Sequence, residues 1–310
     1  MTEAHTPVLP PRRILCAVAE GTLSDAAIRA TARLAEGTGA KADLLHALKL
    51  PALLATRFDA HLIEGISKDA RERRRDQLRG HFSHALEGVT LCGRTPAEAL
   101  EVVVGDPSKV VIEEARSRKA DLIVLGDNGH RRQLDFGGTA RAVLAKADAH
   151  VWVQTRDTAD VRRVLVPVDL SESSLKALDG ALHVAEALGA SVRVIHVFED
   201  WPALAFGAAE AWVLPATYDR DTLRSSAKAE LERAMAEVDW RGVVHEVHCV
   251  DGSPVETILA AADGADLIAM GTHGRTGLAA ALLGGVTYAV LRRSHTPVLA
   301  LRTGGGRFHL

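Results

Sequence analysis

The sequence predicts an α/β protein of two tandem, doubly wound, parallel five-stranded sheets of Rossmann-like architecture. Three observations predict it. The first is an internal repeat: "RILCAVAEGTLSDAAIRATARLAEGTGAKADLLHAL" from Arg13 lies over "RVLVPVDLSESSLKALDGALHVAEALGASVRVIHVF" from Arg163 without a gap, 150 positions on, with His46 on His196. The second is that the repeat continues. "VGDPSKVV" from Val104 matches "DGSPVETI" from Asp251, "ADLIVLG" from Ala120 matches "ADLIAMG" from Ala265, and "GGTARAVL" from Gly137 matches "GGVTYAVL" from Gly284. The third is that short β-branched runs alternate with helical periodicity in each copy, and parallel neighbours need right-handed crossovers. The seam "RDTADVR", Arg156 to Arg162, divides the chain into domains 1–157 and 158–310.

The second copy reads most clearly. Val164 to Val168 is a β-branched run suited to a strand buried on both faces. Ser171 is placed to cap the next helix, whose Leu175, Leu178, Leu182, Ala185 and Leu188 form an apolar stripe before Gly189 ends it. A strand at Val192–Val197 follows, then a helix with Leu223, Ala227, Leu231 and Met235 on one face. The remaining elements are a strand at Val243–Val250, a helix at Val255–Ala262, a strand at Leu267–Met270, a glycine-rich loop, a helix near Thr287–Arg293 and a last strand at Val298–Leu301. Such sheets bind ligands outside the carboxyl ends of their strands, where the strand order reverses. The glycine loop "GTHGRTGLAAALLGG", Gly271 to Gly285, belongs there.

Composition sets bounds. A chain of 310 residues with 25% charged and 47% apolar residues is an ordinary globular sequence of about two domains. A net charge of -3 argues against a nucleic-acid binder. Apolar runs fall short of the ~20 residues that span a bilayer, and no signal peptide is evident. Three scattered cysteines, Cys16, Cys92 and Cys249, suggest neither a disulfide framework nor a CxxC site, so a cytoplasmic location is expected.

Glycine lets backbone approach a ligand closely, and backbone N–H groups at a helix start favour anions. The loop from Gly271 therefore suits phosphate, although an isolated GxxG more often only turns the chain. Its spacing, Gly271-x-x-Gly274, nine residues, then Gly284, resembles the nucleotide-binding signature of the universal stress protein family. "VLVPVDLSESSLKAL" and "DGSPVETIL" resemble that family too, and the likeness covers both halves, so the chain is identified as a member.

The resemblance implies a stress-response regulatory protein binding an adenine nucleotide, ATP or AMP/ADP, with Mg²⁺ expected alongside. It implies that Asp169 meets adenine and ribose, that Pro167 lines that pocket and that the backbone of Val197 reads the adenine edge. Met270 and Gly271 then form the floor, while Gly274, Gly284, Gly285 and Val286 fall in the phosphate-binding stretch. Gly285 departs from the family pattern, which has Ser or Thr. Losing one hydrogen bond to a charged group costs about 1.5–3 kcal/mol, so weakened binding is expected. The backbone N–H of Gly285 remains, and Thr287 lies two residues on.

The first copy has lost the signature. Seven residues, not nine, separate Gly129 from Gly137, Ala19 stands for Asp169, Ala17 for Pro167, and Asp127 adds an acid where phosphate would lie. Arg131 and Arg132 read as solvated surface. The first half is expected to be a scaffold that pairs with the second inside one chain, in place of the dimers the family commonly forms; a homodimer of whole chains is left open, as is an unknown protein partner. The apolar segments "KLPALLATRFDAHLIEGI" and "EDWPALAFGAAEAWVLPATYD" are read as covering their own sheets, the alternative being an interface or a hydrophobic-ligand site. That alternative makes the protein a non-nucleotide binding module. A third reading, a weak ATPase using His273, has no general base placed by the motif, so hydrolysis is expected to be slow or absent. Alternation puts His245 and Cys249 opposite His248, which disfavours a metal site. "KDARERRRDQLR" from Lys68 reads as a solvated helix face.

Overall fold

The computed structural model describes residues 7–51, 60–126, 138–156, 160–199, 219–272 and 284–303. The first half carries β1 (Arg13–Ala17), α1 (Thr22–Thr38), β2 (Lys41–Leu48), α2 (Ala60–Ala85), the single-turn α3 (Pro96–Ala99), β3 (Leu100–Val104), α4 (Pro107–Ser117), β4 (Leu122–Gly126), α5 (Gly138–Lys146) and β5 (His150–Gln154). The second carries β6 (Arg163–Pro167), α6 (Glu172–Leu188), β7 (Ser191–Phe198), α7 (Arg220–Ala236), β8 (His245–Asp251), α8 (Pro254–Ala262), β9 (Leu267–Gly271), α9 (Gly285–Arg293) and β10 (Val298–Leu301).

These strands form one ten-stranded sheet in the order β3-β2-β1-β4-β5-β10-β9-β6-β7-β8. Both halves repeat the same order, and neighbours within each half are parallel, as the sequence predicts. The halves join where β5 and β10 run antiparallel, with Val298 opposite Val153, Leu299 opposite Trp152 and Ala300 opposite Val151. An exposed sheet edge is a template for further pairing, so this junction removes one edge from each half.

The pleat sends alternate side chains to opposite faces. Ile14, Cys16, Val164, Val166 and Leu299 face α1, α2, α6 and α7, whereas Leu15, Ile123, Leu165, Ile268, Met270 and Ala300 face α4, α5, α8 and α9. Each buried layer runs unbroken through both halves. In the first layer α1 and α6 cross so closely that a Cβ on Gly37 would lie 2.0 Å from the Ala187 carbonyl oxygen. Gly37 and Ala187 are equivalent positions of the repeat, so the crossing lies on the pseudo-twofold axis relating the halves.

Local signals are realised where the chain is self-sufficient. Ser171 caps α6 by accepting from Ser174 N–H at 3.2 Å, and Gly189 ends it at φ 64°. Two expectations shift. The third strand of the second half begins at His245, because the Val243 carbonyl turns back to the His245 Nδ1 at 3.0 Å and Val244 is 76% exposed. On α7 only Leu231 and Met235 are buried, while Leu223 is exposed. Arg224 Nε meets Asp251 Oδ1, at the last residue of β8, at 2.9 Å. The first turns of α7 thus stand at the rim of the sheet, beside the end of β8.

Repeat residues that sequence reasoning left unexplained have structural duties. Asp121 is buried and accepts backbone N–H groups from Val8, Arg12 and Arg13 at 2.9–3.3 Å, and Asp266 accepts those of Arg162 and Arg163 at 3.0 Å. These aspartates hold the chain entering β1 and β6. His46 and His196 each place Nδ1 on a strand-end carbonyl, of Val18 at 2.8 Å and Val168 at 2.9 Å. On α2 the basic run is largely exposed, but Arg74 turns inward: its Nε donates to His46 Nε2 at 3.1 Å and its Nη1 meets Glu20 at 3.1 Å.

Burial of Cys16 pushes its thiol up to about 12, whereas Cys92 is exposed. A thiol reacts as its thiolate. Iodoacetamide at pH 8 is therefore expected to modify Cys92 in the native protein and leave Cys16 untouched until denaturant is added. Peptide mass mapping checks this, and native labelling of Cys16 contradicts it.

Candidate functional site

In the sheet order, β9, β6 and β7 are consecutive, and Pro167, Val197, Met270 and Gly271 of the expected site stand at their carboxyl ends. Pro167 ends β6 and pairs in register with Ile195 of β7. Continuing the β6–β9 register from Leu165 opposite Ile268 brings Pro167 abreast of Met270. Alternation turns Pro167, Val197 and Met270 to the face covered by α8 and α9, so three positions far apart in sequence share one surface. Pro167, Asp169, Val197 and Gly271 are half-buried, as the wall of an open crevice should be, and Met270 is buried beneath them.

Asp169 stands two residues beyond β6. Its Oδ1 accepts the Ser171 N–H at 3.1 Å and the Ser171 hydroxyl at 2.5 Å, so one carboxylate oxygen organises the turn into α6. Leu170, between them, has φ 63°. A bulky residue in the left-handed region costs roughly 1–2 kcal/mol and is uncommon, and such strain concentrates at binding sites. The equivalent Glu20 of the first half is not among the positive-φ residues.

The other wall is the start of α9. Gly284 is its N-cap and carries no side-chain cap; its own N–H donates to the Thr272 carbonyl at 2.9 Å. Gly285 and Val286 are exposed. First-turn N–H groups have no partner within a helix and carry partial positive charge, so this end suits an anion. A Cβ built on Gly285 meets nothing within 4 Å among the described residues, so there the missing hydroxyl leaves no packed contact behind. Thr287 does not replace it. That residue is buried, and its hydroxyl donates to the Gly271 carbonyl at 2.8 Å, which ties α9 to the end of β9.

Gly274 and His273 lie outside the described residues, as do Asp127, Arg131 and Arg132, part of the first apolar segment and nearly all of the second. The matching face of the first half carries Ala17, Ala47 and Leu125. There a Cβ on Gly126 would lie 2.9 Å from the Leu23 carbonyl oxygen and the Ser24 nitrogen, so this strand-end glycine is required by the close approach of α1. Away from the crevice, His245 stacks on Trp240 with ring centroids 3.6 Å apart, while His248 meets Glu246 at 3.2 Å. No group of three or more metal-ligating side chains occurs among the described residues. No described helix is long and apolar enough to cross a membrane.

Comparison with known proteins gives the family and the fold. The model of the universal stress protein family matches twice, at residues 11–154 and 160–302. A universal stress protein of Methanocaldococcus jannaschii is 31% identical over 143 residues, 46% of this chain and 82% of the relative. One from Mycolicibacterium smegmatis is 25% identical over 298 residues, 93% of this chain and 96% of the relative. In fold, the crystal structure of a universal stress protein from Archaeoglobus fulgidus superposes with a TM-score of 0.64 at 22% identity, covering 94% of this chain and 99% of that one.

Proposed function

Because the chain belongs to the universal stress protein family, we propose that its second half binds an adenine nucleotide, ATP as its Mg²⁺ complex, and that occupancy regulates a partner in a stress response in the cytoplasm. The observation that carries this reading is the meeting of the strand ends with the start of α9. A helix start without a side-chain cap faces the strand-end floor of Met270 and Gly271, beside the turn fixed by Asp169. In this reading Asp169 accepts a ribose hydroxyl, Pro167 and Val197 flank the adenine, and the N–H groups of Gly285 and Val286 bind phosphate together with the loop around Gly274. The first half, with alanines at the Pro167 and Asp169 positions, does not bind nucleotide and serves as the built-in partner.

The open space at Gly285 gives a direct test. Gly285→Ser restores the hydroxyl without a clash and is expected to tighten ATP binding by roughly 10- to 150-fold, the value of one hydrogen bond to a charged acceptor. Calorimetric titration of parent and variant measures it. If neither chain gives heat or a thermal shift at millimolar ATP, the nucleotide reading fails.

A further inference from the structure

We propose that Arg302 is the side-chain cation of the α9 anion site, drawn from the last turn of α5 by the ligand's phosphates, so that occupancy of the second half is felt at its junction with the first. The inference rests on the nucleotide reading above.

Arg302 follows β10 directly. Leu301 pairs in register with Gly271 and accepts the Thr272 N–H at 2.9 Å, while the Gly271 carbonyl accepts from Thr287 on the first turn of α9. The backbone of Arg302 is thus one residue from the row that closes the site. It alternates with Leu301 and shares the face of Ala300, which is the face of α9. Its backbone N–H donates to His150 Nδ1 on β5 at 3.0 Å, and its Nη2 reaches the Leu144 carbonyl in the last turn of α5 at 3.3 Å. It therefore stands between the end of a first-half helix and the start of a second-half helix.

Its guanidinium is poorly served there. Arginine offers five N–H donors, yet this one makes a single long side-chain bond, and Nε is buried without a partner among the described residues. Burial pushes it below the usual arginine range, with Asp148 only partly opposing this. Other arginines drawn from water take carboxylates: Arg118 meets Glu114 at 2.8 Å, and Arg241 meets Asp179 at 3.2 Å. Among the described residues Arg156 and Arg241 share an orphaned Nε, but Arg241 keeps its carboxylate, and Arg156 donates a 2.8 Å bond to the Ala265 carbonyl and follows β5, away from the row of Gly271. The repeat places Thr155 opposite Arg302, and its hydroxyl bonds to the His295 carbonyl at 2.6 Å, so the first half has no counterpart. A phosphate at α9 offers this guanidinium charge-assisted, bidentate bonds that a lone carbonyl cannot.

The test compares the parent chain with Arg302→Gln and Arg302→Lys, using ATP and adenosine as paired probes. Arg302→Gln is expected to weaken ATP at least about ten-fold and leave adenosine unchanged, with Arg302→Lys recovering part of the loss. In the parent, ATP is expected to speed hydrogen exchange across residues 144–150, and in Arg302→Gln it does not. Equal weakening of ATP and adenosine, or ATP binding and exchange untouched by Arg302→Gln, overturns the inference alone. No ATP binding by the parent overturns it together with the nucleotide reading.

Discussion

Replacing Gly37 with valine is expected to destabilise the whole chain by on the order of 3 kcal/mol, lowering the urea midpoint of both halves together. The added Cβ falls 2.0 Å from the Ala187 carbonyl oxygen, so α1 and α6 must move apart and open the layer they cover. Overpacking a dense core typically costs 1–3 kcal/mol, and here the obstacle is backbone, which cannot rotate away. Glycine inside a helix is otherwise a liability of about 1 kcal/mol, so a strictly local view expects the opposite sign. Ala187→Gly is expected not to rescue Gly37→Val, because the clash is with a main-chain atom. Gain of stability in Gly37→Val, or rescue by Ala187→Gly, contradicts the assigned crossing.

His150 gives the second large effect. It is buried in β5 with Nδ1 accepting from Arg302 N–H, and burial lowers its pKa from 6.5 to about 4, against a smaller opposing pull from Asp121. The unfolded chain therefore binds a proton between pH 6.5 and 4 that the folded chain refuses. Stability rises with pH across that window: the contribution is complete above about 6.5 and lost as pH falls toward 4. The loss should be on the order of 3 kcal/mol, from roughly 1.4 kcal/mol per pKa unit. His150→Asn keeps an acceptor for Arg302 N–H and removes the titration. Urea midpoints at pH 7, 5.5 and 4 should fall more steeply in the parent than in the variant, and parallel curves would sink the assignment.

Both effects arise at the junction of the halves, and this bears on how the protein works. The β5–β10 pairing, the α1–α6 crossing and the bonds of Arg302 to β5 and α5 make the first half part of the folded state of the second. A ligand that binds only the folded state stabilises it by mass action, so in the proposed reading ATP raises the urea midpoint of the first half as well as the second.

The repeat made the fold legible because its period and alternation report buried faces, and burial on both faces is what a parallel sheet demands. Ser171 and Gly189 were readable for a local reason, since caps and left-handed ends are decided within a few residues. Val243 and Leu223 were misplaced because apolar periodicity cannot tell where a strand neighbour ends. Thr287 was misleading for a similar reason: spacing puts its hydroxyl near the phosphate stretch, but the closer acceptor is the Gly271 carbonyl. Asp121 and Asp266 carried a signal, an acid at the same place in both copies, which became interpretable only once each was seen to accept the N–H groups of the backbone entering β1 or β6.

What the sequence determined by itself is local and periodic: two copies, five strands in each, their caps, and a glycine spacing kept in one copy and shortened in the other. What the tertiary structure decided is which surfaces meet. It brought Pro167, Val197 and Met270 onto one face, left Gly285 open, committed Thr287 and set Arg302 between α5 and α9. The reason is physical. Propensity and periodicity act over a few residues, whereas a surface shared by three strands and a junction formed by two antiparallel edges depend on register and packing between segments up to about 150 positions apart.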